Sequence, residues 1–210
     1  MVGHLEEMVA CFASSLIGRR NDSVFYDSDL WQQVQESTRF VPRSQAETDA
    51  SLKQIVVYAI VKCGKSYLAY RRTPRGQEER LKSKHSIGIG GHVNARDLEQ
   101  RALVGSKDKP EFLLKAVWRE IEEEISLEAR PLKPPILVCF INDDSNEVGK
   151  VHFGTVWILE VDEPKVALRR EAGIGELRFM QPHELTGEKE KFESWSQLLI
   201  DRMERLEARG

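Results

Sequence analysis

Residues 110–127 repeat their hydrophobic and polar positions with the period of an α-helix. Pro110 suits a first helical turn, and Glu111 places an anion near the positive end of the helix dipole. Six apolar residues fall on one broad arc of the helical wheel: Leu113, Leu114, Val117, Trp118, Ile121 and Ile125. The pattern predicts a helix from Glu111 to Leu127 with one face buried.

Shorter apolar runs before and after this segment predict β-strands. Residues 54–61, QIVVYAIV, form a continuous β-branched run that is typical of a strand buried on both faces. A tight turn at 63–65 and the alternating segment 66–72, SYLAYRR, complete a predicted hairpin. Three further segments read as strands, with a hairpin loop predicted at 143–150 between the last two: HSIGIGGHV at 85–93, ILVCFIN at 136–142 and VHFGTVWILEV at 151–161.

The two ends of the chain carry weaker patterns. Residues 8–16 fit a strand or a short helix equally well, whereas Asp27-Ser28-Asp29 begins a capped helix. We interpret residues 1–50 as an N-terminal extension packed on the core, and 51–210 as one domain that includes the C-terminal helix. That amphipathic helix could pack on its own domain or form a homodimer through its predicted buried stripe of Leu198, Leu199, Met203 and Leu206.

Composition and charge indicate an ordinary globular protein rather than a nucleic-acid or membrane protein. The 210 residues are 40% hydrophobic and 31% charged, and the formal net charge of −3 does not favour a nucleic-acid backbone as partner. No apolar run reaches the length of a membrane span, and acids precede the mildly apolar segment 8–17, which is the reverse of a signal peptide. Three scattered cysteines indicate neither a zinc site nor a disulfide framework, so we expect a cytoplasmic location.

Three glutamates crowd together on the predicted helix. Glu120, Glu123 and Glu124 are spaced i, i+3 and i+4, so their carboxylates lie close enough to repel by a few tenths of a kcal/mol per pair. A run of glutamates is usually a solvated helix face. The alternative is a divalent cation, and an all-oxygen set of ligands suits Mg²⁺, Mn²⁺ or Ca²⁺ better than Zn²⁺.

The helix resembles the Nudix box, written G-x5-E-x7-R-E-U-x-E-E-x-G-U with U an apolar residue. The matching residues, with Glu122 and Ile125 at the variable positions, are Glu111, Arg119, Glu120, Ile121, Glu123, Glu124 and Leu127. Fixed residues in one register over this length are a strong signal. The chain therefore resembles a Nudix hydrolase over about residues 50–190, which implies an α/β fold, a Nudix-type α/β/α sandwich with a mixed β-sheet.

Two positions depart from the family pattern. Ser126 stands where the box has a glycine that lets the helix end in a left-handed turn. Gly105 fits the written spacing before Glu111, but the Gly90-Gly91 pair at the end of a predicted strand fits the family better. We interpret Gly91 as the functional equivalent and residues 92–110 as an enlarged loop.

The resemblance implies hydrolysis of a diphosphate linkage in a nucleoside diphosphate derivative or a similar small phosphorylated metabolite. Mg²⁺ or Mn²⁺ would be bound by Glu120, Glu123, Glu124 and the Gly91 carbonyl, and would align water against the anionic substrate. Arg119, four residues before Glu123, would orient that carboxylate. The general base stays open between a box glutamate, Glu120, and a loop glutamate, Glu171 or Glu176.

Other candidate substrate contacts have ordinary structural explanations beside the functional ones. Arg71 and Arg72 end a strand and are phosphate ligands or solvated arginines, and His85 and His92 flank the glycine-rich strand. Ser126 and the enlarged loop also leave open a non-catalytic Nudix module that binds or regulates. An isopentenyl diphosphate isomerase is disfavoured, because its cysteine is missing from the glycine-rich strand.

Overall fold

The structure is a computed structural model, and it describes residues 6–73, 84–99, 111–169 and 174–207. The chain forms two compact units, and each is assembled from three separate segments. The first unit comprises Met1–Val57, Gly91–Ala116 and Phe140–Thr155. The second unit comprises Tyr58–Gly90, Val117–Cys139 and Val156–Gly210.

Twelve strands lie within the described residues. In chain order they are β1 (Met8–Ala13), β2 (Val24–Phe25), β3 (Arg39–Pro42), β4 (Leu52–Cys63), β5 (Ser66–Arg72), β6 (His85–Ser86), β7 (Ile89–His92), β8 (Ile125–Leu127), β9 (Ile136–Ile141), β10 (His152–Val161), β11 (Val166–Leu168) and β12 (Ile174–Met180). Ten of them join one sheet along the order β12-β5-β4-β10-β9-β2, with β1, β3, β6 and β7 attached off this path. Strands β8 and β11 form a separate pair.

The same residues form eight α-helices. They are α1 (Ser28–Ser37), α2 (Arg43–Ala46), α3 (Arg96–Glu99), α4 (Glu111–Glu124), α5 (Glu147–Val151), α6 (Pro182–Gly187), α7 (Ser194–Ile200) and α8 (Met203–Glu207). Across the described ranges, every helix is too short or too polar to cross a bilayer. The large sheet and its helices confirm the mixed α/β fold class predicted from the sequence.

In the first unit, the N-terminal residues whose sequence fitted either a strand or a short helix form a strand. Residues Met8–Ala13 form β1, which pairs antiparallel with β3 and with the start of β4, before a 3₁₀ turn at Ser14–Ile17. The capped helix is confirmed, because the Asp27 side chain accepts a 2.9 Å hydrogen bond from the Leu30 amide. The ring of Trp31 packs against that of Phe140, with 5.2 Å between the ring centres.

The second unit contains β5 and the tight turn of the predicted hairpin, together with residues 58–63 of β4. Strands β4 and β5 pair antiparallel with Lys62 opposite Tyr67. Gly64 supplies the positive φ of 56° that the tight turn requires, a conformation that costs glycine little. Strand β12 pairs along the other edge of β5, with Phe179 opposite Leu68. The alternating pattern of residues 66–72 therefore predicted the strand correctly.

Three predicted elements differ from the structure outside the box helix. The single strand predicted at 85–93 is divided into β6, which pairs with β5, and β7, which pairs with β4. The loop predicted at 143–150 contains helix α5, since the Asn146 side chain accepts a 3.0 Å hydrogen bond from the Gly149 amide and caps it. The single predicted C-terminal helix is two short helices, α7 and α8. Ile200 is buried together with Leu199, Met203 and Leu206, whereas Leu198, a member of the predicted stripe, is only partly buried.

Candidate functional site

Helix α4 carries the candidate site and is anchored by a buried face. Its residues that are at most 1% exposed recur about once per helical turn, and they are Leu113, the adjacent pair Ala116 and Val117, and Ile121. Two other members of the predicted arc, Leu114 and Trp118, are only partly buried. The rigid apolar side fixes the direction in which the charged side of the helix points.

One arginine holds two of the box carboxylates. Nη1 of Arg119 lies 2.6 Å from Oε1 of Glu120 and 3.5 Å from Oε1 of Glu123. The side chains of Arg119 and Glu120 are 18% and 12% exposed, whereas that of Glu123 is 54% exposed. The predicted i, i+4 contact between Arg119 and Glu123 is present, and a shorter contact to the neighbouring Glu120 was not predicted. The guanidinium of Arg119 thus holds two candidate metal ligands together at the edge of the buried face.

The helix ends at Glu124, three residues earlier than predicted. The Glu124 carbonyl accepts a 3.2 Å hydrogen bond from the Arg169 amide, and the chain continues as β8. In β8, Ser126 lies opposite Ala167 of β11. Extended backbone suits any residue, so a serine at this position needs no left-handed turn. Because β8 pairs with β11, the helix ends earlier than the apolar pattern of the sequence predicted.

Gly91 lies in β7, and neighbouring backbone hydrogen bonds fix the end of that strand. The Val93 amide donates to the Ile55 carbonyl at 3.0 Å, and the Val93 carbonyl accepts from the Ala10 amide at 2.7 Å. Part of the predicted loop 92–110 is helix α3. Gly105 lies outside the described residues, and the role of the Gly91 carbonyl as a metal ligand stays a prediction.

Two predicted substrate contacts bind each other. Nη2 of Arg71 lies 3.0 Å from Oε1 of Glu176, and both side chains are about half exposed. Glu176 is the one non-glycine residue with positive φ in the described part of the chain, at 54°, and it lies where the pairing of β12 with β5 shifts register. Such backbone strain is common at functional sites. Glu171, the other candidate loop glutamate, lies outside the described residues.

Arg72 and His85 are placed by contacts of ordinary structural kinds. The guanidinium carbon of Arg72 lies 6.0 Å from the centre of the Tyr70 ring, and its backbone amide donates to the Lys84 carbonyl. The His85 ring lies 5.5 Å from that of Phe192, and its carbonyl accepts from the Glu193 amide. Their proposed roles in substrate binding remain predictions.

The sequence did not predict two groups of polar residues that meet in the first unit. His92, a predicted substrate contact, meets His152 through a 2.9 Å contact between their Nε2 atoms. Lys53 is 3% exposed, and its Nζ lies 2.5 Å from Oδ1 of Asp144 and 2.8 Å from the Gly149 carbonyl. Burial lowers the pKa of Lys53, and the hydrogen bond and charge of Asp144 oppose that shift. Separations of 60 and 91 positions leave no spacing signal in the sequence.

Comparison with known proteins supports the fold. No protein-family model matches the chain. Protein YmaB of Bacillus subtilis (strain 168) is 28% identical over 214 residues, which cover 97% of this chain and all of that protein. The crystal structure of Tm1382, a candidate Nudix hydrolase, matches 94% of this chain and 98% of its own at 21% identity, with a TM-score of 0.72. The MutT protein from Methanosarcina mazei Go1 is 19% identical over 74% of this chain and 95% of its own, with a TM-score of 0.48. The chain has the Nudix fold, as the helix signature implied.

Proposed function

We propose that this protein is a Nudix hydrolase, which uses a divalent cation to cleave a diphosphate linkage in a nucleoside diphosphate derivative or a similar small phosphorylated metabolite. The observation that supports this most is the double contact of Arg119 with Glu120 and Glu123 on α4. A fold alone does not fix a function, whereas carboxylates held in one place by a shared partner suit a specific task. The proposal therefore depends on the box residues more than on the likeness to Tm1382.

The donor set fits a hard cation. Glu120, Glu123 and Glu124 offer carboxylate oxygens within a little more than one helical turn, and the Gly91 carbonyl would add a neutral oxygen. Mg²⁺ and Mn²⁺ prefer oxygen ligands of this kind. A cation would also remove the repulsion between the clustered carboxylates, which Arg119 relieves only in part. We therefore assign Mg²⁺ or Mn²⁺ to these residues.

Each residue of the site would have a distinct task. The bound cation would neutralise negative charge on the diphosphate and would lower the pKa of a water molecule bound to it. Arg119 would keep Glu120 and Glu123 in their ligating orientations rather than touch the reacting atoms. The proton of the attacking water would pass to one carboxylate, and Glu120, Glu171 and Glu176 are the candidates.

The arginines at the end of β5 would bind the substrate's phosphates. Exposed ion pairs contribute about 0–1 kcal/mol, so the contact between Arg71 and Glu176 can be exchanged at little cost. A phosphate that replaced Glu176 as the partner of Arg71 would release this carboxylate for proton transfer. Arg72 and His92 are the other proposed substrate contacts.

Isosteric substitutions test the proposal. The full chain and its variants would be assayed with a panel of nucleoside diphosphate derivatives in Mg²⁺ and in Mn²⁺, with a phosphatase that liberates phosphate from the monoester products. We expect kcat/KM to fall at least about 100-fold in Glu123→Gln and Glu124→Gln, because each loses a charged ligand. Glu122→Gln is the matched control, since Glu122 is exposed on the same helix and occupies a variable box position.

If Glu123→Gln and Glu124→Gln turned over substrate as fast as the control Glu122→Gln, the proposed mechanism would be wrong. Tight binding of a nucleotide derivative by the unmodified chain, with no hydrolysis at saturating Mg²⁺, would instead show a binding module. The substrate that gives the highest kcat/KM in the panel would identify the leaving group.

A further inference from the structure

Two histidines and a glutamate from distant segments meet in the first unit. His92 ends β7, His152 begins β10, and Glu47 follows α2. One potential ligand atom from each residue lies within 4.8 Å of those from the other two. The Nε2 atoms of the two histidines are 2.9 Å apart. Residues this far apart in sequence make a compact cluster of nitrogen and oxygen donors.

The inner histidine is oriented as metal-ligating histidines are. His152 is 4% exposed, and its Nδ1 lies 2.7 Å from the Val148 carbonyl. A carbonyl can only accept, so Nδ1 carries the hydrogen, and in a neutral imidazole Nε2 then directs its lone pair toward His92. A hydrogen bond from the far nitrogen to a carbonyl is the usual support of a histidine bound to a metal. The buried ammonium of Lys53 lies 3.4 Å from the His152 carbonyl, which helps to fix the backbone there.

The glutamate is held at the outer side of the cluster. Arg43 donates from Nε to Glu47 Oε1 at 3.2 Å and from Nη1 to Glu7 at 2.8 Å. A carboxylate has two oxygens and about four lone-pair positions, so the pair with Arg43 leaves capacity for a cation. The Glu47 side chain is 38% exposed. The cluster is therefore buried on the His152 side and open to solvent on the Glu47 side.

We propose that Glu47, His92 and His152 bind one divalent transition-metal ion, with Zn²⁺ preferred. Two imidazoles and a carboxylate are a familiar zinc set, whereas Mg²⁺ prefers oxygen ligands alone. Zinc 2.0–2.1 Å from two nitrogens in tetrahedral geometry separates them by about 3.3 Å, so the observed pair must open by about 0.4 Å. The hydrogen that His92 now shares from Nε2 would move to its Nδ1. Three protein ligands leave a fourth position for water or an anion on the solvent side.

This site shares no residue with the carboxylate set of α4. His92 is also a proposed substrate contact and is therefore common to both proposals, but zinc binding does not require the hydrolase activity. Its ligands are histidines and a glutamate, so the scattered cysteines that argued against a zinc site do not bear on it. The site is defined by residues 47, 92 and 152, and each offers one ligand atom.

Metal titration tests the proposal directly. The untagged full chain would be stripped with a chelator, dialysed, and titrated with ZnCl₂ by calorimetry and with CoCl₂ by visible absorption, without Mg²⁺. We expect one Zn²⁺ per chain with micromolar or tighter affinity, and intense Co²⁺ bands typical of four or five ligands. Glu47→Gln and His92→Gln should each weaken Zn²⁺ binding at least about 10-fold, since each removes a ligand. His183→Gln is the control, because His183 is an exposed histidine on α6.

Folding and the location of the ion are checked separately. At the same Zn²⁺ concentration, the Tm should rise more for the unmodified chain and for His183→Gln than for His92→Gln, so a folded variant with weakened binding is recognised. Binding should persist in the double variant Glu123→Gln/Glu124→Gln. Failure of the unmodified chain to bind Zn²⁺, unchanged affinity in His92→Gln and Glu47→Gln, or loss of binding in the double variant would each overturn the proposal.

Discussion

The Tyr58 hydroxyl donates a 2.6 Å hydrogen bond to Oε1 of Glu193, although 135 positions separate the two residues. Both are buried, at 3% and 7% exposure. The same carboxylate caps helix α7, since Oε1 accepts from the Ser196 amide and Oε2 from the Trp195 amide, each at 2.8 Å. Burial and the charge of Glu193 raise the pKa of Tyr58 well above its ordinary value, so the hydroxyl stays a donor. This network joins β4 to the start of α7 inside the second unit.

Substitution of Glu193 should destabilise the fold strongly. In Glu193→Gln, a neutral amide replaces the charged acceptor and points an NH₂ group at groups that are already donors. We expect the free energy of unfolding to fall by about 2 kcal/mol in Glu193→Gln and about 3 kcal/mol in Glu193→Ala, which leaves several donors without partners. Urea denaturation measures both values, with the exposed Glu190→Gln as control. Stability equal to the control would show that the network contributes nothing.

A methyl group on Gly88 should disturb the same network. An added Cβ would lie 1.9 Å from Cε1 and 2.2 Å from Cδ1 of the Tyr58 ring, far inside van der Waals contact. The ring would have to move away from Glu193. We expect Gly88→Ala to lower the free energy of unfolding by about 3 kcal/mol, as overpacking in a core does. Gly187→Ala is the matched control, because its Cβ would meet no atom within 4 Å. Equal urea midpoints for the two variants would contradict this.

The parts of the fold that the sequence predicted are those set by neighbouring residues. The hairpin of β4 and β5 follows from a β-branched run, a turn with Gly64 and an alternating strand, all within residues 52–72. Most of helix α4 follows from apolar residues three and four positions apart. Its end at Glu124 depended on pairing with residues 166–168, and local periodicity carries no information about that strand.

The missed polar groups share one physical cause. His92 and His152, Lys53 and Asp144, and Tyr58 and Glu193 are brought together by tertiary structure across 60 to 135 positions. One helical turn can align three glutamates, so the box was visible, whereas a lone histidine or lysine in a strand reads as an ordinary polar position.

Removal of Arg119 should affect catalysis more than stability. The guanidinium holds Glu120 and Glu123, and loss of a group that orients metal ligands typically costs 10–100-fold in activity. Given the proposed hydrolase function, we expect kcat to fall about 10–100-fold in Arg119→Gln. The Mg²⁺ concentration that gives half-maximal kcat should also rise. Arg119→Lys should retain intermediate activity, because one ammonium replaces the arginine fork. The control is Lys115→Gln on the same helix, and the assay is a Mg²⁺ titration of kcat. A Mg²⁺ dependence unchanged in Arg119→Gln would show that the arginine does not position ligands.

The cap of α1 should contribute stability that depends on acid pH. The pKa of Asp27 lies below its ordinary value of 3.8, first because the Leu30 amide donates to the carboxylate and second because Arg20 does. A folded-state pKa below the unfolded one stabilises the protein above about pH 3.8, and this contribution is lost as the pH falls through the folded value.

Asp27→Asn isolates this contribution, because asparagine keeps an oxygen that can cap the helix but does not titrate. The free energy of unfolding of the unmodified chain should exceed that of Asp27→Asn by a constant amount between pH 5 and 7. The difference should shrink as the pH falls below about 3.8. Asp29→Asn removes another acid from the first turn of α1 but keeps the cap, so it should retain the acid dependence that Asp27 confers. Urea unfolding of all three proteins from pH 7 to 2.5 measures the effect. A difference between the unmodified chain and Asp27→Asn that does not change with pH would mean that the capping carboxylate is not stabilised by its charge.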